Sequence, residues 1–452
     1  MTLPIYRLRR ILAATAVLIT VIVTGMYMYA RLRTRNILKD VPHKIGLDIK
    51  QTANGFEISK SDGKRTLFTV QASAVKQFKL TGDAELHNVN IVLYGRDSSR
   101  FDQIYGDDFS FSQKTGDVTA KGDVQIDLVA NPKGITTPDQ AIPKEVKNPI
   151  HLKTHDLVFN RDSGNAATDA RVDFSTGQAT GWADGVRYNG RTNTLTLESH
   201  IHIAVSGPQA GVINAEHGII TNEPRVIILD HPHFDHSITA MQADQATFYL
   251  GPDNSVQRVV ATDHVVAQTK PSAADSSAPI HARADQAEFL LSEKQNLLQS
   301  GTLTGHVHLE QEGPQPMQGD AGRVVLDYAG KNELQMVHAL DGARLFQKAA
   351  QQTAAKNATP TSGPQDFELT APVIDFKVVD GRLIEHAVTS GAAQITISSP
   401  DSPASRTVVT AGKFDGQFST DDGKNRLTSV HGAPNARIVN SCLLYTSDAA
   451  DE

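Results

Sequence analysis

Beyond residue 45, apolar residues recur at every second position through most of the chain. Phe68, Val70 and Ala72 obey this rule, as do Val124, Ile126 and Leu128, and then Ile201, Ile203 and Val205. Successive side chains of an extended chain point to opposite faces, so a period of two predicts strands with one apolar and one polar face. Turn chemistry falls at short intervals, in Gly116-Asp117, Gly190-Arg191-Thr192-Asn193 and Asp421-Asp422-Gly423. These residues reach the backbone angles that reverse a chain. The body therefore reads as many short hairpins, and the fold class is all-β.

A phrase also returns along the chain: a small residue, Asp, an aromatic four residues on, a turn, then Gly-x-Val-x-apolar. It is read in 105–128, 182–205, 242–268, 283–311 and 319–347, with weaker copies near His155, Glu216, Pro372 and Gly412. The spacing from Asp244 to Asp285 to Asp320 is unequal, which argues against a fixed-period solenoid. Pro-, Ala- and Ser-rich stretches at 131–150, 270–280 and 348–365 absorb the difference as loops. A unit with one apolar face is not stable alone, so the units stack into a sandwich or jelly roll extended along one axis, or into a β-solenoid. Such an array ends in edge strands, which can pair with another β-protein.

One segment departs from this pattern. Ile11–Ala30 holds twenty residues without a charge, enough for a helix of about 30 Å that spans a bilayer core. Arg7, Arg9 and Arg10 precede it, and Tyr27 and Tyr29 suit the far interface. Met28-Tyr29-Ala30 lacks the small residue of a cleavage site, so the segment reads as a retained signal anchor. Residues 1–35 are expected to form a cytoplasmic head and transmembrane anchor.

Composition narrows the function. With 43 Lys and Arg against 50 Asp and Glu, the net charge is −7, and no basic block is present to neutralise phosphates, which argues against nucleic-acid binding. One Cys excludes an internal disulfide framework. No P-loop, GxGxxG or Ser-His-Asp spacing is found, so no cofactor and no enzymatic activity is expected.

An anchoring helix followed by ADxAxF…GxVxL repeats resembles the periplasmic proteins of lipopolysaccharide export, LptC and the OstA-like LptA group. The resemblance covers roughly residues 1–440: residues 36–200 look like an LptC jelly roll, and 201–440 like further OstA/LptA-type repeats, which LptC itself usually lacks. It implies a twisted, open β-jelly roll whose apolar interior shelters acyl chains, with the helix held at an inner-membrane ABC transporter. The implied location is the inner membrane, single-pass, with the bulk of the chain in the periplasm. The implied partners are lipopolysaccharide, the transporter complex and other jelly-roll proteins joined by edge strands. The candidate groove lining is the apolar set Phe68, Val70, Phe109, Phe111, Val124, Ile126, Phe159, Phe174, Tyr188, Phe248 and Phe289. An envelope scaffold that carries no lipid is the second reading.

A third reading comes from His231-x-His233-x-Asp235-His236, whose spacing resembles that of metallo-β-lactamase-fold hydrolases, where imidazoles and a carboxylate hold zinc or iron. The Gly pair usual after that motif is replaced by Ser237-Ile238-Thr239, and a polar hairpin turn accounts for the same residues. His200 with His202, and His306 with His308, are each expected to project from one face of a strand. From Ser441 the sequence breaks the repeat and resembles translated adapter sequence, so 441–452 is expected to be a non-native or disordered tail.

Overall fold

The computed structural model describes residues 51–441 apart from 62–65, 79–80, 95–100, 131–149, 208, 223, 271–278, 293–296, 313–315, 331, 350–364, 382, 400–401 and 420–425. The expected transmembrane segment 11–30 and residues 442–452 lie outside the described residues, as does nearly all of the three expected loops. Every regular element among the described residues is a strand, thirty-one in all, and every pairing is antiparallel.

The pairings resolve into one ladder in which each rung bonds only to the rungs before and after it in sequence. Some rungs are single long strands, such as Thr194–Val205, Val256–Thr269, Ile280–Leu291 and Leu298–Gln311. Others are two half-strands end to end, such as Arg225–Asp230 with His233–His236. Among the described residues ten rungs are split in this way and eleven are single. At about 4.8 Å per rung the ladder is on the order of 100 Å long. The expected division at residue 200 falls inside the strand Thr194–Val205, and hydrogen bonding runs through it to the strands on either side.

Every rung bends near its middle, so the sheet folds lengthwise into two wings. The bend has a local cause. Asn88, His200, His231, His264 and His306 have φ between 44° and 49°, and Gly185 and Gly305 have φ of 77°. The left-handed region breaks the pleat, and the register slips there, for example between Thr262 and Val265 and between Arg283 and Gln286. Because the break resets the alternation, the apolar faces of both wings point into the fold.

Carboxylates of neighbouring rungs hold the bend on its convex side. His87 Nδ1 lies 2.6 Å from Asp108, His264 Nδ1 2.7 Å from Asp244, and His306 Nδ1 2.8 Å from Asp285. The hydrogen bond that His264 donates to Asp244, together with the carboxylate's charge, raises the pKa of His264. These pairs correct the expectation for His200 and His306. A positive φ at each puts it on the bend, where it meets Asp184 and Asp285, while His202 and His308 turn to the outer face and meet Asn214 and Asp320. The strand rule that would have placed each pair together fails at the bend.

Packing is tightest toward the N-terminal end. Phe68 of one wing meets Phe159 of the other edge to face, ring centroids 5.3 Å apart at 85°, a contact worth about 0.5–1.5 kcal/mol beyond the area it buries. One continuous apolar core runs from Phe68 to Leu229, and a second, smaller one lies between Ala343 and Phe414. Between them the buried hydrophobic residues are all Ala and Val, most of them in two small clusters.

This gradient in packing should be measurable. Phe109→Ala, at a position 1% exposed, is expected to destabilise by about 3–5 kcal/mol, against well under half of that for Phe289→Ala, whose ring is half-exposed; urea unfolding monitored by circular dichroism measures both. The ion pairs predict a pH dependence as well. His338 lies 2.7 Å from Asp375 and 3.2 Å from Asp327, and its pKa is raised above 6.5, chiefly by the hydrogen bond to Asp375. The folded ring holds its proton more tightly than the unfolded one. Its stabilisation is therefore full below the unfolded pKa and fades as pH rises through the folded value. His338→Asn should lower the urea midpoint near pH 5.5 and have a smaller effect at about pH 8.5, the whole difference being about 1 kcal/mol or less for a partly solvated pair.

Candidate functional site

The ladder carries an apolar line that never breaks. Cα partners run from Ile58 through Val70, Ile91, Ile104, Ile126 and Leu152 to Phe174. They continue through Gly181, Ile203, Ile213, Phe234, Met241, Ala267 and Ala282. They end through Leu309, Gly319, Leu345, Leu369, Ile395 and Val409 at Ile438. Each rung contributes one residue, and none of them is polar.

The other wing carries a matching line. It starts at Ala84 and passes Phe111, Val118, Phe159, Ala166, Tyr188 and Leu195. It then takes Ile220, Ile227, Phe248, Val259, Phe289, Gly301 and Leu326, and finishes through Val337, Phe376, Ala387 and Gly416 at Val430. The residues adjacent in sequence to the first line face outward and form a contrasting row. Its first half reads Glu57, Gln71, Asn90, Tyr105, Gln125, Lys153 and Asp173, and its later part includes His308, Asp320, Arg344 and Thr370.

The interior between these lines changes character along the axis. Ile91 and Val124 are fully buried, and the wings there are closed by Phe68 and Phe159. From Phe174 and Tyr188 onward, Phe234, Met241, Phe248, Val259, Phe289, Leu309 and Leu326 are half-exposed. Two of the interior glycines explain how the rings keep out of the way. A Cβ on Gly301 would stand 3.1 Å from the Phe289 ring, and one on Gly181 would stand 2.5 Å from the Phe174 ring. Each phenyl thus lies flat along its own wing over a glycine of the next rung rather than reaching across.

All eleven candidate lining residues belong to the inward set, and burial divides them. Phe68, Val70, Phe109, Val124, Ile126 and Phe159 are buried within the closed stretch, whereas Phe111, Phe174, Tyr188, Phe248 and Phe289 are half-exposed. A side chain sealed on all sides acts as core, and only the second group stands where a ligand can reach it without the wings parting.

The His231–His236 motif is dispersed. His231 sits on the bend with φ 48°, and His233 and Asp235 project from one face of the strand His233–His236, while His236 projects from the other beside Phe234. Asp235 is engaged by the Lys270 ammonium, whose hydrogen bond holds its carboxyl below the usual range. Among the described residues no three or more His, Cys, Asp or Glu are arranged to hold a metal ion. Strand alternation, which the linear spacing ignores, sends His236 to the opposite face from His233 and Asp235.

The small residue and Asp of the recurring phrase have meanings that the repeat alone did not disclose. Ala183, Ala243 and Ala284 are buried at the apex where the wings meet and only a methyl fits. The Asp that follows each of them, Asp184, Asp244 and Asp285, pairs with the His at the bend of a neighbouring rung. Each partner His lies a turn away, roughly 16–21 residues downstream, and that recurrence was the available signal.

No protein-family model matches the chain, and no curated protein matches it significantly. Among solved structures it is similar to LptH, the LptA homologous periplasmic component of the conserved lipopolysaccharide transport device from Pseudomonas aeruginosa. The identity is 12%, the match covers 35% of this chain and 94% of that one, and the TM-score is 0.23. A likeness of that extent carries no functional weight beside the registered apolar lines.

Proposed function

We propose that the chain is a membrane-anchored periplasmic component of lipopolysaccharide transport, which shelters acyl chains in the trough between its wings. The observation that carries this reading is the unbroken apolar line from Ile58 to Ile438, matched across the fold by the line from Ala84 to Val430. A lipid chain in water costs about 0.8 kcal/mol for each exposed CH₂, and a lining without a polar gap removes that cost at every step along the ladder. An ordinary core needs no such length of half-exposed apolar wall, since large exposed apolar areas are a liability unless used.

The same reading assigns roles to the two ends. Residues 11–30 would tether the N-terminal end to the inner membrane beside an ABC transporter. At the other end, the last rung carries Leu427, Val430, Ile438 and Val439, exposed by 42–66%. Its strands Arg426–Ala433 and Arg437–Ser441 pair on one side only among the described residues. An edge with free backbone groups and continuing apolar lines suits the addition of a rung from another jelly-roll protein. The chain would then bridge the transporter to downstream components of the same architecture.

Mass spectrometry of the full-length protein, extracted in mild detergent from Gram-negative cells, is expected to find lipopolysaccharide retained. Leu309→Asp, which sets a charge on the apolar line at a half-exposed position, should reduce the retained amount about tenfold or more. Purification free of lipopolysaccharide, with the strand signal intact, would remove the lipid-carrying reading and leave the scaffold one.

A further inference from the structure

Apolar residues are expected on the inner face alone, yet two neighbouring rungs break that rule. The strands His217–Asn222 and Arg225–Asp230 carry Gly218-Ile219-Ile220 and Val226-Ile227-Ile228-Leu229 without a polar interruption, a pattern suited to strands covered on both faces. Ile220 and Ile227 belong to the inner line, so Ile219 and Ile228 point outward, directly in register and half-exposed. Their outer row runs Thr196, Ile219, Ile228, Thr247 and Val260, five rungs without a charge. It is bounded by Arg187, paired with Asp169 at 2.6 Å, and by Glu288, paired with Arg258 at 3.3 Å.

Toward the bend the same rungs present the opposite chemistry. His217, Asp230, Gln245 and Thr262 form the next outward row, two residues or about 7 Å from the apolar one. With Glu216, His231, Asp244 and Asp263 they line a hollow of about 440 Å³. Its lining has four carboxylates and two imidazoles, and no Lys or Arg. His217 and Gln245 engage Asp230, and His264 engages Asp244, while Glu216 and Asp263 are exposed.

The two surfaces together select the occupant. A bilayer surface presents phosphates, which the carboxylates repel. A second copy of this chain carries a net charge of −7, and a face roughly 20 Å long falls short of the ~800 Å² that each partner of a stable dimer buries. Every rung here is hydrogen-bonded on both sides, so no strand can be added and only side chains are on offer. A helix meets such a face through one stripe, on which residues three or four apart stand about 5–6 Å from each other. That spacing sets an aliphatic side chain on Ile219 and Ile228 and an ammonium or guanidinium group in the hollow beside them.

We infer that the outer face around Ile219 and Ile228 docks an amphipathic basic helix of another protein, with aliphatic side chains on the apolar stripe and a Lys or Arg in the hollow lined by Glu216, Asp230, Asp244 and Asp263. This surface lies outside the trough, so lipid carriage and helix docking can each fail without the other.

Selection from a phage-displayed library of random peptides of about 16 residues, long enough to form a helix on binding, reads the occupant's chemistry when run on the full-length protein in mild detergent. Recovered peptides are expected to place Lys or Arg three or four residues from Leu, Ile or Val. Their binding should fall about tenfold or more for Ile228→Lys, which sets a cation on the stripe. It should fall about threefold or more for the double variant Glu216→Gln with Asp263→Asn, which removes two exposed charges and leaves the His–Asp pairs in place. Asn suits position 263, whose φ is 60°. Ile238→Lys, in a turn at the end of the other wing and 61% exposed, should leave binding unchanged. Recovery of acidic or uncharged peptides, of none, or of peptides that bind Ile228→Lys as well as the unsubstituted chain would overturn the inference. Should Ile228→Lys lose its strand signal, the double variant decides, and undiminished binding to it would overturn the docking surface.

Discussion

The structure depends on register. An antiparallel ladder gives every residue a fixed partner on the next rung, and a slip of one position would turn an entire apolar face to water. Ile58 and Ile438 are joined by a chain of such partners across every rung without a polar residue among them. The apolar inner faces and the polar exterior both arise from that constraint. Neighbour-to-neighbour connection also means that the fold lengthens by adding rungs, with no crossover to limit it.

A flat ladder with one apolar face could not stand in water, and the bend solves that problem within each rung. A left-handed residue interrupts the pleat, a small residue at the apex lets the wings meet, and an Asp on a neighbouring rung accepts the ring proton of the bend His. At Asp244 and His264 the three features coincide, with Ala243 buried beside them. His is an apt residue for that position because it tolerates positive φ better than branched side chains and can reach a carboxylate on the next rung. At His264 the Asp244 hydrogen bond raises the ring's pKa, and the same chemistry recurs in a more enclosed setting at His338, held between two aspartates.

What separates a core from a trough here is side-chain volume at the apex and the direction in which the rings lie. Where Phe68 and Phe159 reach across, the wings close. Where alanines line the apex and Phe289 lies over Gly301, the inward side chains are half-exposed. The same alternation of apolar and polar residues therefore produces a closed core in one stretch and half-exposed inward side chains in another. The closed N-terminal core supplies more stability than the half-exposed stretch, since half-exposed side chains gain only part of the transfer energy of burial.

Much of this was legible in the residues themselves. The period of two around Val70 and Ile126 dictated strands with an inner and an outer face, and Gly, Asn and Asp marked the turns. All eleven proposed lining residues do face inward, because alternation is a local property of extended backbone. Which of them are sealed could not be read, because closure depends on residues about ninety positions apart meeting across the fold, as Phe68 and Phe159 do. The spacing of His231, His233, Asp235 and His236 was misleading for the same kind of reason, since nearness along a strand alternates faces rather than gathering ligands. The bend was hidden too: His200 and His306 read as ordinary strand positions, and only the partner rung, with its Asp, reveals the backbone turn that both wings require. Local chemistry thus set the elements and their faces, while contact between distant rungs decided where the interior is filled and where it stays open.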